Sequence, residues 1–85
     1  MRTFTHIIGD PLGLHARPAG MLVKAASGYS SAVTVEAPGG KADAKRIMAV
    51  MRLAAKQGME LTVTCEGPDE ELAAEGLQAF LKENL

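Results

Sequence analysis

Apolar and polar residues alternate along four short segments of the chain. The segments are residues 3–8, 32–37, 41–43 and 59–66, and a period of two is typical of strands with one buried face. A Pro-Gly-Gly turn at residues 38–40 joins the second segment to the third as a hairpin. We therefore predict four strands.

Three further segments carry apolar residues at helical spacing. Residues 16–27 predict the first helix, with Ala19, Leu22, Val23 and Ala26 on its inner face. Residues 46–54 predict a second, shorter helix with Val50 and Leu53 in the core. The last helix begins after Gly67-Pro68-Asp69, with Glu70 and Glu71 near the positive end of its dipole. Its predicted inner face consists of Leu72, Ala73, Gly76, Leu77 and Phe80.

The predicted order of elements is β-α-β-β-α-β-α, and each element has one apolar face. Strands of this kind form an antiparallel sheet that helices cover on one side. The chain of 85 residues is long enough for one small core, and no linker divides it. We therefore predict a single α+β domain over residues 1–85, built as a two-layer sandwich.

The composition fits a globular domain and argues against several classes of protein. Hydrophobic residues make up 47% of the chain and charged residues 22%, which is too apolar for a disordered protein. A formal net charge of −1 gives no electrostatic basis for binding nucleic acid or an anionic membrane. The sequence shows no signal peptide and no apolar run of transmembrane length, so we expect a cytoplasmic protein without membrane insertion.

The cysteine and one of the two histidines are predicted to pack rather than to react. Cys65 is the only cysteine, so no internal disulfide can form, and its position in a strand suits a small core residue. His6 shares the strand face of Phe4 and Ile8. Two histidines and one cysteine without ligand spacing predict no metal site.

The other histidine lies in residues 9–20, GDPLGLHARPAG, just before the first predicted helix. Proline is favoured at the first position of a helix, so Pro18 places His15 at or just before the N-cap. Free N–H groups in a first turn form an anion site, and imidazole can act as a covalent nucleophile. A phosphoryl group on His15 would lie beside these N–H groups, and Arg17 would add charge-assisted hydrogen bonds. On these residues alone, a surface histidine and a solvated arginine remain the alternative.

Residues 13–19, Gly-Leu-His-Ala-Arg-Pro-Ala, resemble the active-site motif of the HPr family. These proteins are the histidine-containing phosphocarriers of the bacterial phosphoenolpyruvate:sugar phosphotransferase system. The resemblance extends to the length of the chain, the order of its elements and residues 45–51, which are similar to the family's second-helix region. It implies an open-faced β-sandwich, with a four-stranded antiparallel sheet in the order 1-4-2-3 and three helices on one face.

The resemblance also implies a function. His15 would accept a phosphoryl group on its pros nitrogen, Nδ1, from phosphorylated enzyme I and pass it to IIA domains of sugar permeases. Arg17 would clamp the phosphoryl oxygens, and the backbone of Ala16 and Arg17 would bind the phosphate. Such a protein is a phosphoryl carrier rather than an enzyme, needs no cofactor and is expected to be a monomer.

A partner-binding surface is predicted beside the histidine. The family resemblance favours partner contact for the second-helix residues Ile47, Met48, Met51 and Arg52, and thioether side chains can adapt to several partners. On the first helix, Gly20 and Lys24 share the outer side with Arg17. The alternative is that the methionines fill the core and that Lys24 is merely solvated.

One position departs from a familiar pattern of the family. Many HPr proteins of Gram-positive type carry a regulatory serine at the start of the second helix, where this chain has Arg46. Residues 35–61 contain no serine or threonine, so no shifted acceptor lies nearby. We predict that the chain lacks regulation through that serine and that Asp43 caps the second helix.

Three other functions fit the sequence less well than the carrier does. A regulatory module that binds partners without phosphoryl transfer would not need a nucleophilic histidine. An RNA- or DNA-binding sandwich would need aromatic residues displayed on strands, and the chain has only Phe4, Tyr29 and Phe80. A metal-dependent hydrolase would need ligands that are missing. Among carriers, sugar-type, nitrogen-type and dihydroxyacetone-type relays remain open.

Overall fold

Four strands form one antiparallel sheet in the computed structural model, which describes residues 1–85. The strands are β1 (Arg2–Ile7), β2 (Ala32–Ala37), β3 (Gly40–Asp43) and β4 (Glu60–Glu66), arranged in the order β1-β4-β2-β3. The helices are α1 (Ala16–Ser27), α2 (Ile47–Arg52) and α3 (Glu70–Asn84). The structure confirms the predicted open-faced β-sandwich and its strand order.

The register of the sheet separates a buried face from an open one. Val63 in β4 lies opposite Phe4 on one side and Val35 on the other, so apolar residues line up beneath the helices. Cys65 is fully buried in this layer, and burial raises the pKa of its thiol. This placement confirms Cys65 as a core residue. Residues of the open face are mainly polar: Thr3, Thr5, Thr34, Glu36, Thr62 and Thr64.

The inner face of α3 differs from the predicted one at Leu72. Ala73, Leu77 and Leu81 are the buried residues of this helix, whereas the side chain of Leu72 is 66% exposed. Leu72 precedes Leu77 by five residues, which places it about 140° around the helix from the centre of the buried stripe. The prediction for Leu72 is therefore wrong, and Leu81 takes the core position.

The second helix is shorter than residues 46–54, and its cap is not the predicted one. After Arg52 the chain turns at Ala54, whose φ of 49° cannot continue a right-handed helix. Arg46, not Asp43, is the N-cap residue, and its side chain makes no capping hydrogen bond. The carboxylate of Asp43 instead accepts the Lys45 N–H at 2.9 Å, one turn too early to cap α2.

Asp69 joins the start of α3 to the start of β2. Its carboxylate accepts hydrogen bonds from the backbone N–H groups of Ser30 and Ser31, each at 2.8 Å, and from the Ser31 hydroxyl. Gly67 is required beside this junction, because a Cβ there would lie 2.7 Å from Cα of Ser31. The hydrogen bond from the Ser31 hydroxyl, followed by the one from Ser30, lowers the pKa of Asp69 below its ordinary value of 3.8.

This junction predicts an acid-sensitive contribution to stability. A carboxylate with a depressed folded-state pKa stabilises the fold above its unfolded-state pKa, and the stabilisation is lost as the pH falls through the lower folded-state pKa. Asp69→Asn should therefore be less stable than the wild type at pH 7, with a difference that shrinks below about pH 3.8. Urea denaturation across this pH range measures it. Glu66→Gln, an exposed neighbour, is the control and should follow the wild type; a constant deficit for Asp69→Asn would contradict the prediction.

Candidate functional site

The loop before α1 is held against the end of α2. Gly13 has a φ of 68°, and a Cβ there would lie 2.8 Å from Cα of Lys56. The next residue, Leu14, is buried and donates its N–H to the carbonyl of Ala55 at 2.9 Å. The early end of α2 provides this support, because the turn at Ala54 brings the Ala55 carbonyl to the loop. A glycine at position 13 is therefore needed to position His15.

His15 is the N-cap residue of α1, as the position of Pro18 predicts. Its backbone is extended, with φ of −87° and ψ of −174°, and its carbonyl accepts the Ala19 N–H at 2.9 Å. The imidazole makes no capping hydrogen bond, and its side chain is 36% exposed. The ring is thus attached to a fixed backbone while its nitrogens remain available for chemistry.

The first turn of α1 offers unpaired donors next to the ring. The N–H groups of Ala16 and Arg17 donate no hydrogen bond within the chain, and Pro18 has no N–H. The Arg17 side chain is exposed and forms no ion pair. Two free N–H groups, the positive end of the helix dipole and an unpaired guanidinium together favour an oxyanion at this place.

His15 and Arg17 share a shallow cleft of about 240 Å³, in which Arg17 is the only cation. The cleft is lined by Asp10, His15, Arg17, Pro18, Met21, Glu83 and Asn84. The carboxylate of Asp10 approaches the ring, with Oδ2 3.8 Å from Nε2 of His15. The sequence interpretation missed Asp10, Met21, Glu83 and Asn84. An aspartate in the Asp-Pro-Leu-Gly turn was a usable signal, because such turns fix aspartate side chains; Glu83 and Asn84 gave none.

The predicted partner-contact residues lie on α1 and α2, two helices that meet at Gly20 and Ile47. Ile47, Met48 and Met51 are exposed to 40%, 62% and 39%, which excludes them from the core. A Cβ on Gly20 would lie 3.5 Å from Cδ1 of Ile47, so the two helices meet at this glycine. Lys24 and Arg52 are exposed. Two residues that the sequence interpretation missed, Leu12 and Met21, add to the exposed apolar area at 74% and 39%.

The second histidine has a different environment. His6 is half-buried in β1, and its Nε2 atom is buried without a hydrogen-bond partner. The Nε2 atom of His6 is therefore closed to a partner protein. The structure contains no group of three or more histidine, cysteine, aspartate or glutamate side chains that could hold a metal ion. None of its helices combines the length and the apolar character that crossing a membrane requires.

Comparisons with known proteins agree with this geometry. The family model of the PTS HPr component phosphorylation site matches residues 2–83. The phosphocarrier protein HPr of Lysinibacillus sphaericus is 45% identical over 83 residues, covering 98% of this chain and 94% of that protein. A solved structure of a histidine-containing phosphocarrier protein from Mycoplasma superposes with a TM-score of 0.93 at 39% identity, covering 96% of this chain and 93% of that one. An HPr dimer from Thermoanaerobacter tengcongensis superposes with a TM-score of 0.77 at 40% identity, over 98% and 95% of the two chains.

The sandwich fold, the free histidine at the start of α1 and these relatives define a phosphocarrier of the phosphotransferase system. The chain belongs to the HPr family.

Proposed function

We propose that His15 is the phosphoryl acceptor, and that it receives the group from phosphorylated enzyme I and passes it to IIA domains of sugar permeases. The observation that carries the proposal is the environment of the His15 imidazole. The residue is the N-cap of α1, its ring makes no capping hydrogen bond, and the next two N–H groups of the chain have no partner. Accessibility favours this ring over that of His6, whose Nε2 is buried.

The site suits transfer between two nitrogen atoms. The Nδ1 lone pair of His15 forms a bond to phosphorus as the donor's N–P bond breaks, and the donor nitrogen keeps that electron pair. Negative charge on the transferred oxygens is met by the N–H groups of Ala16 and Arg17 and by the Arg17 guanidinium. The same contacts serve the reverse attack by an acceptor histidine, so one site both loads and unloads the carrier.

The exposed surface of α1 and α2 fits partners with acidic rims. Neither α1 nor α2 contains an acidic residue, whereas Arg17, Lys24 and Arg52 are exposed on them. The adaptable apolar side chains of Ile47, Met48 and Met51 are exposed on α2. Positive charge beside exposed apolar side chains favours encounter with a complementary partner and lets several partners share the surface.

The carrier is proposed to act as a cytoplasmic monomer that needs no cofactor. In a relay, each partner must reach His15 in turn, and a partly exposed ring on a small domain of 85 residues allows this. The HPr dimer from Thermoanaerobacter tengcongensis makes self-association a specific alternative. Sedimentation analysis with and without phosphorylation distinguishes the two states.

Loading by enzyme I tests the proposal. The protein is incubated with phosphoenolpyruvate and enzyme I, and its intact mass is then measured before and after brief acid treatment. One added phosphoryl group that is lost in acid and retained in alkali is expected, because the N–P bond of phosphohistidine is acid-labile. A modification that survives acid, or no modification under conditions that load another HPr protein, would contradict it.

The arginine at the start of α2 leads to a prediction about regulation. Arg46 occupies the N-cap, where a serine hydroxyl would accept an N–H of the first turn and where a cation opposes the dipole. Arg46→Ser should stabilise the protein by about 0.5–1 kcal/mol. The ion pair that it removes, with Nε of Arg46 3.8 Å from Oδ2 of Asp43, is exposed and contributes little.

The same substitution tests whether a serine kinase can act on this chain. The wild type should gain no acid-stable phosphate from the HPr serine kinase and ATP, whereas Arg46→Ser should be modified if the α2 surface is competent. Intact mass reports the modification, and thermal unfolding reports the stability. Arg52→Ser, the same replacement at the other end of α2, is the control and should be destabilised. Acid-stable phosphate on the wild type would show that a distant serine is used.

A further inference from the structure

Asp10 lies in a loop, yet three hydrogen bonds hold it in place. Its N–H donates to the Leu85 carbonyl at 3.1 Å, and its own carbonyl accepts the Gly13 N–H at 2.9 Å. Its Oδ1 accepts the Leu12 N–H at 2.8 Å. These three hydrogen bonds occupy the backbone and one carboxylate oxygen, and the side chain is only 27% exposed.

The remaining oxygen of Asp10 faces the histidine. Oδ2 lies 3.8 Å from Nε2 of His15, closer than any other carboxylate of the chain. This separation is longer than a hydrogen bond, and such contacts in free proteins commonly shorten when the reacting complex forms. The other charged groups that line the cleft are Arg17, from α1, and Glu83, from α3.

We propose that Asp10 is a positioning residue that holds the proton of His15 on Nε2 and so leaves the lone pair on Nδ1 for phosphorus. The inference rests on the proposed function of His15. In a neutral imidazole, the hydrogen bond made by one nitrogen determines which nitrogen carries the proton. A carboxylate only accepts hydrogen bonds, so it favours the tautomer with N–H at Nε2.

The same carboxylate stabilises the product of transfer. When Nδ1 bonds to phosphorus and the donor nitrogen leaves with the electron pair of its N–P bond, the Nε2 proton stays on the ring. The product is a phosphoimidazolium with a positive ring, and Asp10 supplies the adjacent negative charge. When the group moves on, the electron pair of the His15 N–P bond returns to Nδ1 and the ring is neutral again, with its proton still on Nε2.

Asp10→Asn gives a sharp test, because the fixed turn decides how the amide is oriented. The Leu12 N–H needs an acceptor, so the amide oxygen takes the place of Oδ1 and the NH₂ group faces Nε2. A donor at that place favours a lone pair on Nε2 and the proton on Nδ1, which is the unreactive tautomer. Loading by enzyme I should then slow about 10- to 100-fold, by analogy with the loss of a hydrogen-bond partner that orients a metal-ligating histidine.

The direct readout is the ¹⁵N chemical shift of each ring nitrogen of the neutral histidine. In the wild type we expect the proton on Nε2, and in Asp10→Asn a shift of the tautomer population towards Nδ1–H. Asp10→Ala, which faces Nε2 with neither donor nor acceptor, should be intermediate in both tautomer and rate. Glu83→Gln, which changes the other carboxylate of the cleft, is the control and should keep the wild-type tautomer.

The outcomes separate this inference from the proposed function. A wild-type ring that already carries its proton on Nδ1 overturns the role of Asp10, whatever the variants do. Unchanged loading and an unchanged tautomer in Asp10→Asn overturn it as well, and leave His15 as acceptor intact. If enzyme I fails to load the wild type, the proposed function fails, and the tautomer measurement still decides the role of Asp10.

Discussion

His15→Ala should abolish phosphorylation by enzyme I and leave the fold intact. The His15 ring at the start of α1 is the proposed acceptor, and the only other histidine has a buried Nε2 atom. Stability should change little, because the His15 side chain makes no capping hydrogen bond that alanine would remove. Intact mass after incubation with phosphoenolpyruvate and enzyme I gives the loading, and thermal unfolding gives the stability.

The second histidine supplies the matched control. His6→Leu removes an unpartnered buried nitrogen from β1 and should be loaded at the wild-type rate. Acid-labile phosphate on His15→Ala would refute the assignment and indicate His6 as the acceptor. Loss of loading in both variants, with both folded, would indicate that docking rather than the acceptor had been damaged.

Arg17→Ala should slow transfer strongly while destabilising the fold by less than about 1 kcal/mol. The guanidinium is exposed and pairs with no carboxylate, so the folded state loses no contact of note. It is the only cation that lines the cleft beside His15, where we propose that it meets the phosphoryl oxygens. Removal of one such oxyanion-stabilising group slows reactions by about 100- to 1000-fold. Rapid-quench measurement of loading and unloading gives the rates.

The change in net charge must be separated from the loss of the clamp. Lys41→Ala removes the same charge from an exposed position in β3, on the open face of the sheet, and should transfer at nearly the wild-type rate. Arg17→Lys should recover only part of the activity, because an ammonium group cannot present two parallel donors to a phosphoryl group. Wild-type rates in Arg17→Ala would remove Arg17 from the site.

The elements of the fold could be predicted where apolar side chains recur at regular spacing along one face of a helix or strand. The bounds of α1 follow from its apolar period and from Pro18, and each strand was predicted to within one residue at either end. The predicted bounds of α2 failed because a contact with a residue distant in sequence determines where the helix ends. The turn at Ala54 ends α2 and allows the Ala55 carbonyl to accept the Leu14 N–H. No residue pattern within α2 could indicate this contact.

The same limit applies to the site. The positions of His15 and Arg17 could be predicted because both belong to one short segment whose helix start is marked by proline. Their proposed roles rest on the resemblance of that segment to the HPr motif. The cleft around them could not, because Asp10 and Glu83 come together only when the Leu85 carbonyl accepts the N–H groups of Gly9 and Asp10. Contacts between residues so far apart in sequence depend on the packing of α3 beside β1.

The most direct test of a carrier is whether it hands its phosphoryl group on. The protein is loaded, separated from enzyme I and phosphoenolpyruvate, and mixed with a IIA domain, and the masses of both proteins are followed over time. Loss of the group from this protein with its matching appearance on the IIA domain is the predicted result. A phosphorylated protein that keeps its group while the IIA domain remains unmodified would contradict the account and favour a regulatory module instead.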